Sequence, residues 1–263
     1  MTETNFDNLG KWLCDQHRDG ARFVPFARDH GIASLDDAYA AQAAFVAAMQ
    51  SANMGCPVGW KIGLTSARMQ AMCGIDQPVA GAVLATRLHA SGAEMRLGAH
   101  GRLGLEFEIC VRIGLDLPAR PEPYSATEVA QAVDAVAAAV EVVDDRNCDY
   151  VALDVQSLIA DNSWNAGVVL GDWVLMPRDL TDCKGVVSRN AEEIDSGYGR
   201  DVLGGPLVPL EWLVNHLRAR GTGLRRGDIV MTGSLIPTQF PKDACEYRFD
   251  VAGIGAVAIF IVP

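Results

Sequence analysis

Leu103-Gly-Leu-Glu-Phe-Glu-Ile-Cys-Val-Arg-Ile113 decides how the rest of the chain is read. Leu105, Phe107, Ile109, Val111 and Ile113 fall on one side of an extended backbone, and Glu106, Glu108, Cys110 and Arg112 on the other. This is a strand with one core face. Glu106 and Glu108 share the opposite face, about 7 Å apart at a rise of ~3.3 Å per residue. Like charges so placed repel unless solvent or a cation separates them. A pair of glutamates on a solvated strand face is the plain reading; a cation site is the chemical one.

Outward from this strand the texture is mixed. Towards the N-terminus, residues 5–22 carry Phe6, Leu9 and Leu13 at helical spacing, and Ser34 with Asp37 opens an Ala-rich helix over 35–50. Residues 58–64 read as a glycine-punctuated strand, with a short helix from Ser66 to Cys73. Towards the C-terminus, 124–140 reads as a long Ala/Val helix capped by Ser125 or Thr127, feeding a strand at 140–143. A short helix over 157–164, a strand over 167–175 and a helix over 209–220 follow. Strands at 228–232, 246–251 and 256–262 close the chain. Helices and strands are not in strict alternation, so the class is α+β. The division expected is a helical N-terminal segment, 1–54, and a catalytic domain, 55–263.

Composition excludes several functions. Apolar residues make up 49% of the 263, enough for a packed core. Asp and Glu outnumber Lys and Arg 33 to 22, and such a surface repels phosphate backbones, so no nucleic-acid partner is expected. No apolar run reaches the ~18–20 residues of a membrane helix, and the N-terminus is polar, without a signal-peptide pattern. No membrane partner is expected. The seven cysteines are scattered and never in CxxC spacing, which suits a reducing cytoplasm better than disulfides or zinc–thiolate chemistry. The five histidines show no ligand spacing and read as surface or core residues.

Two further features carry chemistry. Glu141 stands in Ala-Ala-Val-Glu-Val-Val, with Asp144 and Asp145 close by. A carboxylate in that company is buried and partnered, or else ends a helix, in solvent or against Arg146. Three carboxylates without His or Cys favour a hard cation such as Mg²⁺ or Mn²⁺. Lys61, one of only four lysines beside eighteen arginines, sits between Trp60 and Ile62. Either it snorkels to solvent, or burial lowers its pKa for proton transfer, or it holds a substrate carboxylate.

Six segments now fall in order: Gly59-Trp-Lys-Ile-Gly-Leu-Thr65, Gly74-Ile-Asp-Gln-Pro78, Glu106-Phe-Glu108, Val140-Glu-Val-Val-Asp144, Asp161-Asn-Ser163 and Gly227-Asp-Ile-Val-Met-Thr-Gly-Ser234. Together they resemble the 2-keto-4-pentenoate hydratase / 4-oxalocrotonate decarboxylase group of the fumarylacetoacetate hydrolase superfamily, from about residue 55 to the C-terminus. The resemblance implies a mixed β-roll with flanking helices. It implies a Mg²⁺ or Mn²⁺ ion held by Glu106, Glu108 and a third glutamate, Glu141, at the end of the following helix. It places the active-site lysine at Lys61, and substrate-binding positions at Leu64, Thr65, Asp161, Asn162, Ser163 and Ser234. One departure stands out: Val79 follows Pro78 where the group often has an acidic residue thought to assist proton transfer.

The activity implied is hydration of 2-hydroxypenta-2,4-dienoate or a close homologue, in aromatic-compound catabolism. Decarboxylation of 4-oxalocrotonate is the runner-up. β-Diketone hydrolysis is disfavoured, because His17 and His30 form no water-activating pair with a glutamate in any motif of the lead-in. A silent binding or assembly homologue is the non-enzymatic alternative, opposed by retention of Lys61 and all three glutamates. The partner expected is a small 2-oxo or 2-hydroxydienoic acid, and the protein is expected to be a cytoplasmic homo-oligomer.

Overall fold

The computed structural model describes residues 6–263. Residues 1–5, including Asn5 where the sequence would begin the first helix, lie outside the described residues. Two helices come first, α1 (Asp7–Arg18) and α2 (Leu35–Ser51). β1 (Pro57–Gly63), α3 (Ala67–Met72), β2 (Val79–Leu84), β3 (Leu88–Ala90), β4 (Ala93–Arg96) and β5 (Leu103–Ile113) follow. Next are α4 (Ala126–Ala132), β6 (Val133–Asp144), α5 (Val155–Ala160), β7 (Asn165–Leu170) and β8 (Val174–Leu175). The chain ends with β9 (Lys184–Arg189), β10 (Glu192–Tyr198), α6 (Leu207–Ala219), β11 (Ile229–Ser234), β12 (Cys245–Val251) and β13 (Gly255–Val262).

Two mixed sheets result. The larger runs β2-β1-β11-β5-β6-β7-β3, with β8 beside β6; the smaller runs β10-β9-β12-β13-β4. The core face of β5 packs on the smaller sheet, with the Phe107 ring 5.6 Å from Phe249 and 5.9 Å from Tyr247. The other face encloses a smaller apolar cluster of Val83, Cys110, Ala139, Val168, Ile229 and Met231. The larger sheet curls, and side chains close the gap at β2. Asn162 bonds both backbone groups of Ala82, at 2.7 and 2.9 Å. Gln42 donates to the Ala80 carbonyl and Tyr39 accepts from the Ala80 N–H. An edge strand whose Ala80 and Ala82 backbone groups are taken up in this way is a poor template for pairing. This is the α+β roll with flanking helices that the sequence leads one to expect. No helix among the described residues is long and apolar enough to cross a membrane.

One expectation is corrected. The 124–140 helix does not exist as such: α4, capped by Ser125, stops at Ala132, and β6 takes over at Val133. Glu141 is therefore inside a strand, not at a helix end. β6 pairs with β5 from Leu103↔Asp144 to Ile113↔Val133 and is buried on both faces over most of its length. Such a strand reads as a continuous apolar run with no period, and its alanines, good helix formers in isolation, fit where two packed surfaces leave little room. The expected 167–175 strand is split into β7 and β8, and β2, β3, β4, β9 and β10 carry patterns too short or too irregular to stand out.

The helical lead-in shares the main core: Leu9, Leu13, Phe23, Phe45 and Met49 are buried in the same cluster as Leu105 and Phe107. At its far side His216 of α6 lies between Tyr39 and Trp212, its ring 4.4 Å and 4.9 Å from theirs. Burial, then the neighbouring Arg220 charge, pushes its pKa down from 6.5 to about 4, against a small opposing pull from Asp36. Below pH 6.5 the unfolded chain thus takes up the proton first. His216 therefore contributes a loss of stability between pH 6.5 and about 4, absent above that window. Thermal denaturation across this range should show a shallower acid decline in His216→Phe than in the parent; equal slopes would remove the assignment.

Candidate metal centre

Glu106 on β5 lies directly opposite Glu141 on β6, and Glu108 is two residues along the same face. Each offers a carboxylate oxygen within 4.8 Å of the others. Lys61 comes from β1, two strands away from β5 across β11, and its Nζ lies 3.2 Å from Glu141 Oε1. Glu108 and Glu141 are fully buried and Lys61 is nearly so, so it does not snorkel. Gly63, two residues on and on the same face, leaves the approach to the ammonium clear; a Cβ there would stand 3.2 Å from Nζ, a tight contact.

Each glutamate has one oxygen engaged. Gly233 N–H donates to Glu108 Oε2 at 2.7 Å, and the Thr238 hydroxyl to Glu106 Oε1 at 2.8 Å. Asn165 Nδ2 donates to Glu141 Oε1 at 2.9 Å, beside Lys61. Glu108 Oε1 and Glu141 Oε2 are buried with no partner. Buried carboxylate oxygens left without partners, in a cluster of three such groups, are costly in a protein interior. The cost is visible in the acidities. Burial first, then the charges of Glu141 and Glu106, raise Glu108 well above the usual carboxylate range. Burial raises Glu141 to about 7, with Lys61 opposing and Glu106 adding. Burial pushes Lys61 down, but Glu141, Glu106 and Glu108 outweigh it and the net shift is upward, opposite to the lowering that its apolar neighbours suggest. Three carboxylates against one ammonium, with oxygens only and two of them unsatisfied, fit a hard divalent cation.

The support for Glu108 depends on an irregularity. The β11–β5 register slips between Met231↔Cys110 and Ser234↔Glu108, so β11 carries a bulge at Thr232-Gly233. Gly233 has φ 115°, and a Cβ on it would lie 2.2 Å from the Thr65 hydroxyl oxygen. Gly233→Ala is expected to lose about 2 kcal/mol or more, from the strained backbone and the overlap together. Urea denaturation checks this; an unchanged midpoint would mean that the bulge relaxes freely.

The remaining positions expected at the site divide. Leu64 and Thr65 leave β1 beside the bulge, Leu64 with φ 55°. Ser234 lies opposite Glu108, its hydroxyl accepting from Phe107 N–H and donating to the Ile236 carbonyl. Asp161, Asn162 and Ser163 make no hydrogen bond to the triad. Asn162 closes the edge of β2, and the Ser163 hydroxyl donates to the Ala80 carbonyl at 3.3 Å. Asp161, fully buried, accepts from His17 Nε2 at 2.7 Å and from Arg146 at 2.5 Å. Burial alone would raise its pKa, but those two partners outweigh it and hold it below the ordinary value. Asp144 and Asp145, next to Glu141 in sequence, turn away: Asp144 accepts from the backbone of 101, 102 and 146, and Asp145 pairs with Arg102. Arg146 pairs with Asp161, not Glu141.

Four residues escaped the sequence reading: Gly233 as a donor, Thr238, Asn165 and His17. His17 had no motif to mark it; it meets Asp161 across 144 residues. Asn165 lies just past Asp161-Asn-Ser163, separated from it by the buried Trp164, and nothing in that order of residues marked it.

Residues 66–262 match the family described as fumarylacetoacetate (FAA) hydrolase C-terminal. A 2-keto-4-pentenoate hydratase of Burkholderia vietnamiensis is 36% identical over 204 residues, 76% of this chain and 76% of the relative. One of Paraburkholderia xenovorans is 30% identical over 98% of this chain and 95% of its own. Among solved structures, 4-oxalocrotonate decarboxylase from Pseudomonas putida G7, complexed with magnesium and adipate, superposes with a TM-score of 0.91 at 24% identity, over 100% of this chain and 99% of that one.

Proposed function

Because the chain belongs to the fumarylacetoacetate hydrolase family, we propose that it is a metal-dependent hydro-lyase that adds water to 2-hydroxypenta-2,4-dienoate or a close homologue. The observation that carries the reading is the convergence of Glu106, Glu108 and Glu141, with Lys61, on one buried face with carboxylate oxygens left over. The relatives named 2-keto-4-pentenoate hydratase support the substrate class. Glu106, Glu108 and Glu141 would hold Mg²⁺ or Mn²⁺. When bound, the ion supplies Lewis-acid stabilisation of negative charge on a 2-oxo acid and offsets the carboxylate field on Lys61.

The protein's own groups do the rest. Ketonisation of the dienol removes the proton of the 2-hydroxyl and delivers one to C5, giving the 2-oxo-3-enoate. Water then adds its oxygen to C4 and a proton reaches C3, giving the 4-hydroxy-2-oxo acid. Lys61 Nζ, buried and hydrogen-bonded to Glu141, is assigned the proton transfers. Val79, buried in β2 opposite Gly63, has no titratable group to share them. Leu64, Thr65 and Ser234 border the substrate site. Asp161, Asn162 and Ser163 shape it from behind through the backbone. Residues 1–54 act as a helical lead-in to the catalytic part, and the protein works as a cytoplasmic homo-oligomer.

Val79 is also what favours a second reading, decarboxylation of 4-oxalocrotonate, which would pass through the same enolate charge without a water-addition step. Both are tested together. Loss of the dienoate absorbance is followed with 2-hydroxypenta-2,4-dienoate, and CO₂ release with 2-oxohex-3-enedioate, before and after chelation and with Mg²⁺ or Mn²⁺ restored. Metal-dependent dienoate loss is expected. CO₂ release without dienoate turnover selects the second reading, and activity indifferent to chelation overturns the metal-dependent mechanism.

A further inference from the structure

The oxygens of Glu141 are not equivalent. Oε1 accepts from Lys61 and Asn165, while Oε2 is buried without a partner. Asn165 itself keeps a buried, unpartnered Oδ1. A leucine of the same shape would not incur that cost, so stability does not account for an asparagine here. What the amide does is hold one oxygen of Glu141.

Its placement takes unusual backbone. Opposite Glu141 on β7 is Val168, and strict alternation would put Asn165 on the other face. The register slips, with Val142 opposite Gly167 but Val143 opposite Asn165, and the extra residue brings Asn165 round to the face of Glu141. Just before it, Asn162, Ser163 and Trp164 have φ of 54°, 48° and 60°. Three consecutive non-glycine residues in the left-handed region persist only when the surroundings hold them. The surroundings do so at both ends. Arg87 donates to the Asn165 carbonyl at 2.6 Å, and Asp161 is locked between His17 and Arg146. His17 belongs to α1 and rests on Phe45 of α2, the ring centroids 5.0 Å apart. Arg146 also reaches back to the Ala21 carbonyl at 3.1 Å.

We propose that Asn165 is a positioning residue that selects the Glu141 oxygen presented to a divalent cation, and that the His17–Asp161–Arg146 cluster holds it there, making the N-terminal helix part of the metal site's support. The inference rests on the reading of the triad as a metal site. Outer hydrogen-bond partners of metal ligands act in this way by fixing the orientation of the ligand.

The test is Mn²⁺ titration of the chelator-stripped full-length protein, with melting temperature of the metal-free form and kcat and KM measured alongside. Asn165→Leu and the smaller Asn165→Ser should weaken Mn²⁺ binding about tenfold to a hundredfold, with the metal-free melting temperature unchanged or raised for Asn165→Leu. His17→Leu should weaken Mn²⁺ binding by a smaller factor, and His17→Gln, which keeps a donor to Asp161, should recover most of it. Parental Mn²⁺ affinity in both Asn165 variants, while Glu108→Gln loses binding, overturns the inference and leaves the metal-site reading standing. Parental affinity in Glu108→Gln overturns both. A His17→Leu protein that melts early yet binds Mn²⁺ normally reduces the cluster to a structural tie and overturns that half.

Discussion

Glu108→Gln should lose tight divalent-cation binding while leaving the metal-free protein at least as stable as the parent. The two halves of this result have one cause. Glu108 is fully buried, its Oε2 takes the Gly233 N–H, and its Oε1 has no partner. Without a cation, burial and the charges of Glu141 and Glu106 make its ionised form unfavourable, so a neutral amide relieves the fold. With a cation the sign reverses. If the glutamine oxygen keeps the Gly233 N–H, its –NH₂ faces the ion, a donor where an anion is required. If the amide turns round, two N–H groups oppose each other at Gly233. Either way one of three charged ligands is gone, and we expect affinity to fall by about a hundredfold or more, the upper end of what even outer-partner loss produces. A parent protein at roughly 100 times its Kd of Mg²⁺ or Mn²⁺ gains about 2.7 kcal/mol. Calorimetric melts with and without metal read both effects. A variant that retains the full metal-induced rise in melting temperature excludes Glu108 as a ligand.

Lys61→Met should retain the metal and lose turnover by about 10²–10⁴-fold, the range of a positioned proton-transfer group. Methionine fills most of the lysine volume without the charge. Nζ lies 3.2 Å from Glu141 Oε1, so removing it takes away a cation that competes for that carboxylate, and Mn²⁺ affinity should hold or tighten. The kinetic split then separates two roles. A proton carrier shows its loss in kcat, with KM little changed; an anchor for the substrate carboxylate shows it in KM. Near-parental values of both would make Lys61 a counter-ion for the triad and nothing more. Lys61→Arg is expected to be no rescue, because a planar, bulkier guanidinium does not replace a compact ammonium at a buried position.

Much of the site was legible because its signals are local. Strand alternation in 103–113 places Glu106 and Glu108 on one face whatever the rest of the chain does, and the structure keeps them there. The capping box at Ser34 and Asp37 opens α2 as its side chains dictate. The lone lysine among glycines and the glutamate among valines were conspicuous for the same reason: each is a polar group that its immediate neighbours cannot satisfy.

What tertiary structure decided is everything that depends on register and on which strands are neighbours. Glu141 meets Glu106 because β6 pairs with β5 in one particular alignment, and that pairing turned an Ala/Val run with a helix former's composition into a buried strand. Two bulges, at Thr232-Gly233 and at Ala166, aim the groups that hold Glu108 and Glu141, and neither leaves a mark in the order of apolar and polar residues. His17 finds Asp161 from 144 residues away. Local sequence sets backbone preference and the face on which each side chain stands. Which faces then meet is chosen by burial of the whole apolar surface at once, and a sum over the whole chain cannot be read from any one stretch of it.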